Sequence, residues 1–259
     1  MPLAQLTDSA ASFALSETQV GLMISLYAWG VMLLSLPLMM LGSRLDYRRL
    51  MLVVMGVFLV GQAASAAAPG FAFLVAARLV VAAAHAVFWS IVSPAAARIA
   101  GAEHAPYALG LVVTGSAVAM IAGLPAGRVI GLALGWRMTF ACIAGCALVL
   151  LAALAVLIPS MEKNEPFSVR QLPALARNRA LVTVYAVTVL VATGYYVGYS
   201  YIEPFMAQVA GLSEGGITLA LVVFGSAGLL GGVAQPVLDA LAGLLDDRSG
   251  VPGRLLDLG

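Results

Sequence analysis

Long apolar stretches separated by short polar segments dominate this sequence. About seven such stretches cover residues 20–42, 50–68, 72–97, 107–134, 138–158, 181–201 and 217–245. Most match the roughly 20 apolar residues that a helix needs to cross a bilayer. They lack the alternation of apolar and polar positions that marks barrel strands. The pattern therefore predicts an all-α membrane protein with about seven transmembrane helices.

Composition supports this prediction and excludes several other classes. The 259 residues are 62% hydrophobic and 10% charged, whereas soluble domains are about 25% charged. A net charge of +1 gives no general electrostatic basis for nucleic-acid binding. The two histidines, His85 and His104, lie far apart, so the spacing indicates no metal site. No glycine-rich phosphate loop or catalytic constellation is visible, so we expect neither a cofactor nor an enzyme.

The basic residues indicate how the chain is oriented. They follow the first, third and fifth spans: Arg44, Arg48, Arg49, Arg98, Lys163, Arg170, Arg177 and Arg179. Because basic loops stay in the cytoplasm, the amino terminus is predicted outside and the carboxyl terminus inside. The polar segment 159–180 is predicted to be a cytoplasmic linker between helices in residues 1–158 and helices in residues 181–232.

The third span carries polar side chains at helical spacing. Arg78, His85 and Trp89 fall on one stripe at about 100° per residue. Ionisable groups inside a membrane usually face a bundle interior or a wet cavity, which favours a substrate or proton pathway. The alternative is that Arg78 extends to the outer interface and His85 is a hydrogen-bonded packing residue.

The fourth span has small residues at every fourth position. They are Gly115, Ala119, Gly123, Gly127 and Gly131. Such a ridge predicts close approach by another helix. Pro125 removes one backbone donor beside the ridge, which predicts a bend. Arg128, near the predicted outer end, is expected to reach the membrane interface.

Tyrosines gather near the outer end of the sixth span. They are Tyr195, Tyr196, Tyr199 and Tyr201, and Glu203 follows them. An interfacial aromatic belt explains some of them. Tyr195 and Tyr199 are one turn apart, and tyrosine offers a sugar both a flat apolar face and a hydroxyl. Tyr27 and Trp29 in the first span are weaker candidates for the same role.

Several segments resemble one family in order and spacing. They are residues 20–39, the run His85-Ala86-Val87-Phe88-Trp89-Ser90-Ile91, residues 114–131 and residues 199–205. These segments are similar to the second, fourth, fifth and seventh helices of bacterial sugar efflux transporters. Those transporters belong to the major facilitator superfamily, in its branch of twelve-helix proton antiporters. The similarity runs from about residue 3 to about residue 232.

The resemblance implies a partial major facilitator fold with family helices 2 to 8. It implies export of arabinose-like pentoses and thiogalactoside analogues across a bacterial inner membrane, driven by proton entry through alternating access. Export of other small molecules or drugs is the alternative. The resemblance places His85 and Trp89 in or near the central cavity, and with Tyr27, Tyr195 and Tyr199 they are the candidate substrate-binding residues. The implied coupling or gating residues are Arg78, Asp46, Arg48, Arg49, Gly123, Pro125, Gly127 and Glu203.

The sequence departs from the family pattern in three places. The loop 42–49 keeps the basic pair Arg48 and Arg49 but is otherwise degenerate, which weakens the case for a gate that depends on Asp46. The family's first helix has no counterpart, because Met1 falls in the family's first external loop. The resemblance ends after Gly232, and the tail 233–259 resembles a shifted reading frame. We therefore expect that this chain alone is a fragment that does not transport.

Overall fold

The computed structural model describes Phe13 and residues 17–159 and 172–227, and these are helical with short connections. Seven helices have these bounds: α1 Glu17–Gly42, α2 Tyr47–Ala66, α3 Phe71–Val118, α4 Leu124–Leu134, α5 Trp136–Leu157, α6 Leu172–Arg177 and α7 Arg179–Pro204. An eighth, α8, is Glu214–Ala227. Two short π-helical segments, Ala119–Gly123 and Phe205–Val209, follow α3 and α7. Five of the described helical runs are long and apolar enough to cross a membrane.

The predicted third and fourth spans lie in one helical run, Phe71–Leu134, of 64 residues. At about 1.5 Å per residue, this run is roughly three times longer than a bilayer is thick. Gly101 divides it with a φ of 76° and a ψ of 165°. Glycine tolerates this positive φ because it has no Cβ. The run therefore contains two predicted spans, although the predicted loop at 98–106 is helical on both sides of Gly101.

The other predicted spans match the observed helices to within a few residues. The sixth continues to Val209 as an apolar helical run. The described part of the seventh is α8, and the rest of that span lies outside the described residues. So do the tail 233–259 and most of the predicted linker, of which α6 is a described part.

We call α1 to α5 the first group of helices, and α7 and α8 the second group. Most of the packing between helices lies in the first group. Both α1 and α2 pack against α3, and α5 packs against α2. One buried cluster comprises Met23, Ala68, Leu74, Trp136 and Phe140. A second comprises Leu50, Met51, Val54, Ala84, Val87, Ile91 and Ala95. These two clusters fix α3, which carries the polar stripe, between α1 and α2.

Apolar side chains also cover the outside of the helices. On α7, Val189, Leu190 and Val191 each leave more than three-fifths of their surface exposed. A continuous apolar exterior of this kind matches hydrocarbon rather than water.

Candidate functional site

Tyr27 and His85 meet between two helices. The Tyr27 hydroxyl on α1 and Nδ1 of His85 on α3 form a hydrogen bond. The His85 ring stacks on Trp89 with the planes 9° apart and the centroids 6.3 Å apart. Phe58 of α2 meets the other edge of His85 at 6.3 Å. Two predicted site residues, Tyr27 and Trp89, thus contact the imidazole of a third, His85.

Arg78 extends this group by two turns of α3. Its guanidinium carbon lies 5.1 Å from the Tyr27 ring centroid and 5.3 Å from the Phe140 ring centroid. An Nη1 donor lies 3.4 Å from the Oε1 acceptor of Gln62. Both ring contacts are within the range of a cation–π interaction. Arg78 therefore points among α1, α2 and α5 and does not extend to the outer interface.

We call these residues, Tyr27, Gln62, Arg78 and His85, the polar cluster. Gln62 is 4% exposed, and sequence reasoning had not selected it because one glutamine in a span shows no pattern. The cluster brings together polar groups from α1, α2 and α3 inside an otherwise apolar bundle. Convergent polar groups in such surroundings are typical of a solute site. Among the described residues, no group of His, Cys, Asp and Glu is arranged to hold a metal ion.

The tyrosines of α7 belong to a different helix group. Tyr195 meets its neighbour Tyr196 edge to face at 5.4 Å and leaves 44% of its surface exposed. The side chain of Tyr199 lies outside the described residues, so the predicted Tyr195–Tyr199 pairing stays a prediction.

Three of the five positions of the small-residue ridge do not show the close helix approach that the spacing predicted. Within the described ranges, a Cβ at Gly115 or Gly123 would meet nothing within 4 Å, and one at Gly127 would meet only Thr139 of α5, at 3.9 Å. The close approach is at Ile121 instead, whose Cα would lie 2.8 Å from a Cβ on Gly225 of α8. The π-helical segment Ala119–Gly123 moves Ile121 out of the regular spacing, just before Pro125.

Arg128 corrects another expectation. It was predicted to reach the interface, but it is 2% exposed. Nη1 pairs with Glu203 at the end of α7, and Nη2 pairs with Glu214 at the start of α8. Burial is possible because two carboxylates compensate the guanidinium. We call Arg128, Glu203 and Glu214 the ion triad.

The helical architecture fits one family of transporters. A model of the Major Facilitator Superfamily matches residues 1–252. The chain belongs to the Major Facilitator Superfamily. It is accordingly a multi-pass membrane protein of a transporter family. The match continues past Gly232, where we expected the resemblance to end.

The start of α2 in this major facilitator chain holds three predicted gating residues, Asp46 at the N-cap and Arg48 and Arg49 in the first turn. Asp46 caps α2: Oδ1 accepts from the backbone N–H of Arg49 at 2.8 Å, and Oδ2 forms an ion pair with the Arg49 Nε at 3.1 Å. Arg48 donates from Nη2 to the Ala155 carbonyl at 2.7 Å, near the end of α5. A cation there complements the helix dipole. These contacts give all three residues local structural functions, and their predicted gating role stays a prediction.

Replacing Asp46 separates capping from gating. Asp46→Ala removes the capping oxygen and is expected to cost about 1 kcal/mol, whereas Asp46→Asn keeps an N-cap and costs only a few tenths. Thermal unfolding of the purified protein in detergent measures this difference. Equal losses for alanine and asparagine would contradict the capping role, and a transport loss in the stable asparagine variant would support a gate.

Proposed function

We propose that this chain forms part of a proton-driven sugar exporter in a bacterial inner membrane. Its substrates would be arabinose-like pentoses and thiogalactoside analogues, and the amino terminus would face outside. The resemblance described above supports the substrate class. The observation that carries the proposal is the Tyr27–His85 hydrogen bond beside Arg78. It joins two helices through polar groups in the interior of a transporter-family bundle.

The polar cluster and the adjacent Trp89 supply groups suited to sugar binding and to proton coupling. Tyrosine and tryptophan faces suit the apolar face of a sugar ring, while hydroxyl, imidazole and amide groups suit its hydroxyls. Trp89 is 54% exposed while its ring stacks on His85, so the described protein leaves this edge of the cluster uncovered. Arg78 adds a permanent positive charge. Its contacts would change when a proton or a solute arrives nearby. We assign substrate binding to Tyr27, His85 and Trp89 and coupling to Arg78.

A second candidate is export of apolar small molecules. An open surface groove of about 280 Å³ lies along α1, lined by Ser25, Ala28, Trp29 and Met32. Tryptophan and methionine suit flat, apolar solutes better than sugars.

Export from loaded cells tests the proposal. Cells expressing the complete reading frame that contains this chain are loaded with a radiolabelled thiogalactoside or arabinose, and retention is compared with empty-vector cells. We expect faster loss of label that stops when a protonophore collapses the gradient. A fluorescent hydrophobic cation, assayed in parallel, measures the second candidate. Unchanged sugar retention with efficient membrane insertion would contradict sugar export.

A further inference from the structure

The ion triad joins two groups of helices that, within residues 17–159 and 172–227, meet at few other points. Arg128 lies on α4, in the first group, and both carboxylates belong to the second group, at the end of α7 and the start of α8. The close approach of Ile121 to Gly225 is another contact between these groups. The sequence between the groups contains the predicted linker. The triad is therefore an electrostatic connection between two separately built parts of the bundle.

The triad lies at one defined end of the helices. Arg128 is about two turns from the end of α4 at Leu134, and Glu203 and Glu214 flank the connection between α7 and α8. Gly211, with a φ of 64°, lies in that connection. Asp46 and Arg48 lie at the opposite end, where α2 begins and α5 ends. By the distribution of basic loops, the triad end is the outer end.

The surroundings of the three charges differ in a way that permits release. The Arg128 and Glu203 side chains are 3% and 10% exposed, whereas the Glu214 side chain is 71% exposed. The Nε donor of Arg128 is buried without a hydrogen-bond partner among the described residues. Buried ion pairs add little net stability, because desolvation offsets most of the attraction. An exposed carboxylate at the rim offers the guanidinium a wetter partner when the inner pair separates.

We propose that the ion triad is a latch that holds the two helix groups together at the outer end and closes the solute pathway there. Arg128 and Glu203 form its buried bond, and Glu214 holds the guanidinium at the rim. Opening to the outside requires the Arg128–Glu203 pair to separate while Ile121 moves away from Gly225. The proposal rests on the proposed alternating access of two helix groups. It does not depend on which solute is carried.

Labelling of a reporter cysteine tests the latch without any transport assay. The native cysteines, both exposed, are replaced in the complete protein (Cys142→Ser, Cys146→Ser), and Ile121→Cys places the reporter where the groups meet. A membrane-impermeant maleimide is applied to intact cells. Arg128→Gln and Glu203→Gln should each raise the labelling rate about fivefold. Glu214→Gln should raise it less, because that side chain is mostly exposed. Arg177→Gln, at an exposed arginine of α6 in the predicted cytoplasmic linker, is the matched control and should leave the rate unchanged.

Charge exchange distinguishes a latch from a packing role. Arg128→Glu and Glu203→Arg should each speed labelling, and the double variant should return it to within about twofold of the parent, since the pair is re-formed. Unchanged labelling in the glutamine variants would overturn the latch. So would a double variant that labels as fast as the single ones or fails to insert. Sugar export can fail while labelling behaves as expected, and the latch then stands without the proposed substrate.

Discussion

Gly61→Leu is expected to abolish accumulation of folded protein. A Cβ at Gly61 on α2 would lie 2.7 Å from the Val81 side chain, 3.1 Å from the Val81 backbone nitrogen and 3.3 Å from the Ala77 carbonyl on α3. The side chain of Val81 can rotate, but the backbone of α3 cannot move without disturbing the polar cluster. Overpacking a tight contact costs about 1–3 kcal/mol or more, a large part of a marginal stability.

The same helix provides the matched control for this substitution. Gly56 lies on α2, and in the described structure a Cβ there would meet nothing within 4 Å. Gly56→Leu should therefore accumulate normally and elute as a single species in size-exclusion chromatography in detergent, where Gly61→Leu should be absent or aggregated. Equal yields of the two variants would show that α2 and α3 do not pack as described.

Loss of the Tyr27–His85 hydrogen bond should reduce export about tenfold, because a polar group left unpaired in the bundle costs about 1–3 kcal/mol. Tyr27→Phe removes the hydroxyl and keeps the ring that contacts Arg78. His85→Ala also removes the ring that stacks on Trp89 and should reduce export further. Initial efflux rates, normalised to the amount of inserted protein, measure both effects.

A tyrosine outside the cluster controls for general damage. Tyr185 on α7 is 63% exposed, and Tyr185→Phe should leave efflux unchanged. Insertion of every variant is followed by a fluorescent fusion and by size-exclusion chromatography. If Tyr27→Phe and His85→Ala export at the normal rate, His85 is a packing residue and the substrate site lies elsewhere.

Hydrophobic length alone predicted the helices, because each span must satisfy its own backbone hydrogen bonds inside the bilayer. The division at Gly101 lies in the predicted break between the third and fourth spans, where Arg98, Glu103 and His104 interrupt the apolar pattern. The stripe of Arg78, His85 and Trp89 followed from helical periodicity within one segment. Such periodicity is local, so it places side chains on a face but cannot identify their partners.

Arg128 is a residue whose partners could not be identified from periodicity within its own span. Its position near the end of a span suggested an interfacial residue, and only carboxylates from α7 and α8 make its burial possible. The pattern did contain a signal: Glu203 and Glu214 are two acidic residues flanking the connection on the predicted outer side. Pairing these charges across the chain could have predicted the triad. Nothing in the spacing of the small-residue ridge indicated Gly225 as the partner of Ile121, because the π-helical segment changes the local register.

The ion triad also fixes an order of events while the protein is being made. Glu214 follows Arg128 by 86 residues. At about 5–20 residues per second, ribosomes need on the order of ten seconds to add that length of chain. An arginine costs about 2.5–3.5 kcal/mol at the centre of a membrane helix and less toward its ends, so we expect the newly made α4 to keep Arg128 close to the outer aqueous surface until its carboxylates arrive. Synthesis of α7 and α8 then supplies the carboxylates that neutralise Arg128. We therefore expect burial of Arg128 to be a late step in biogenesis.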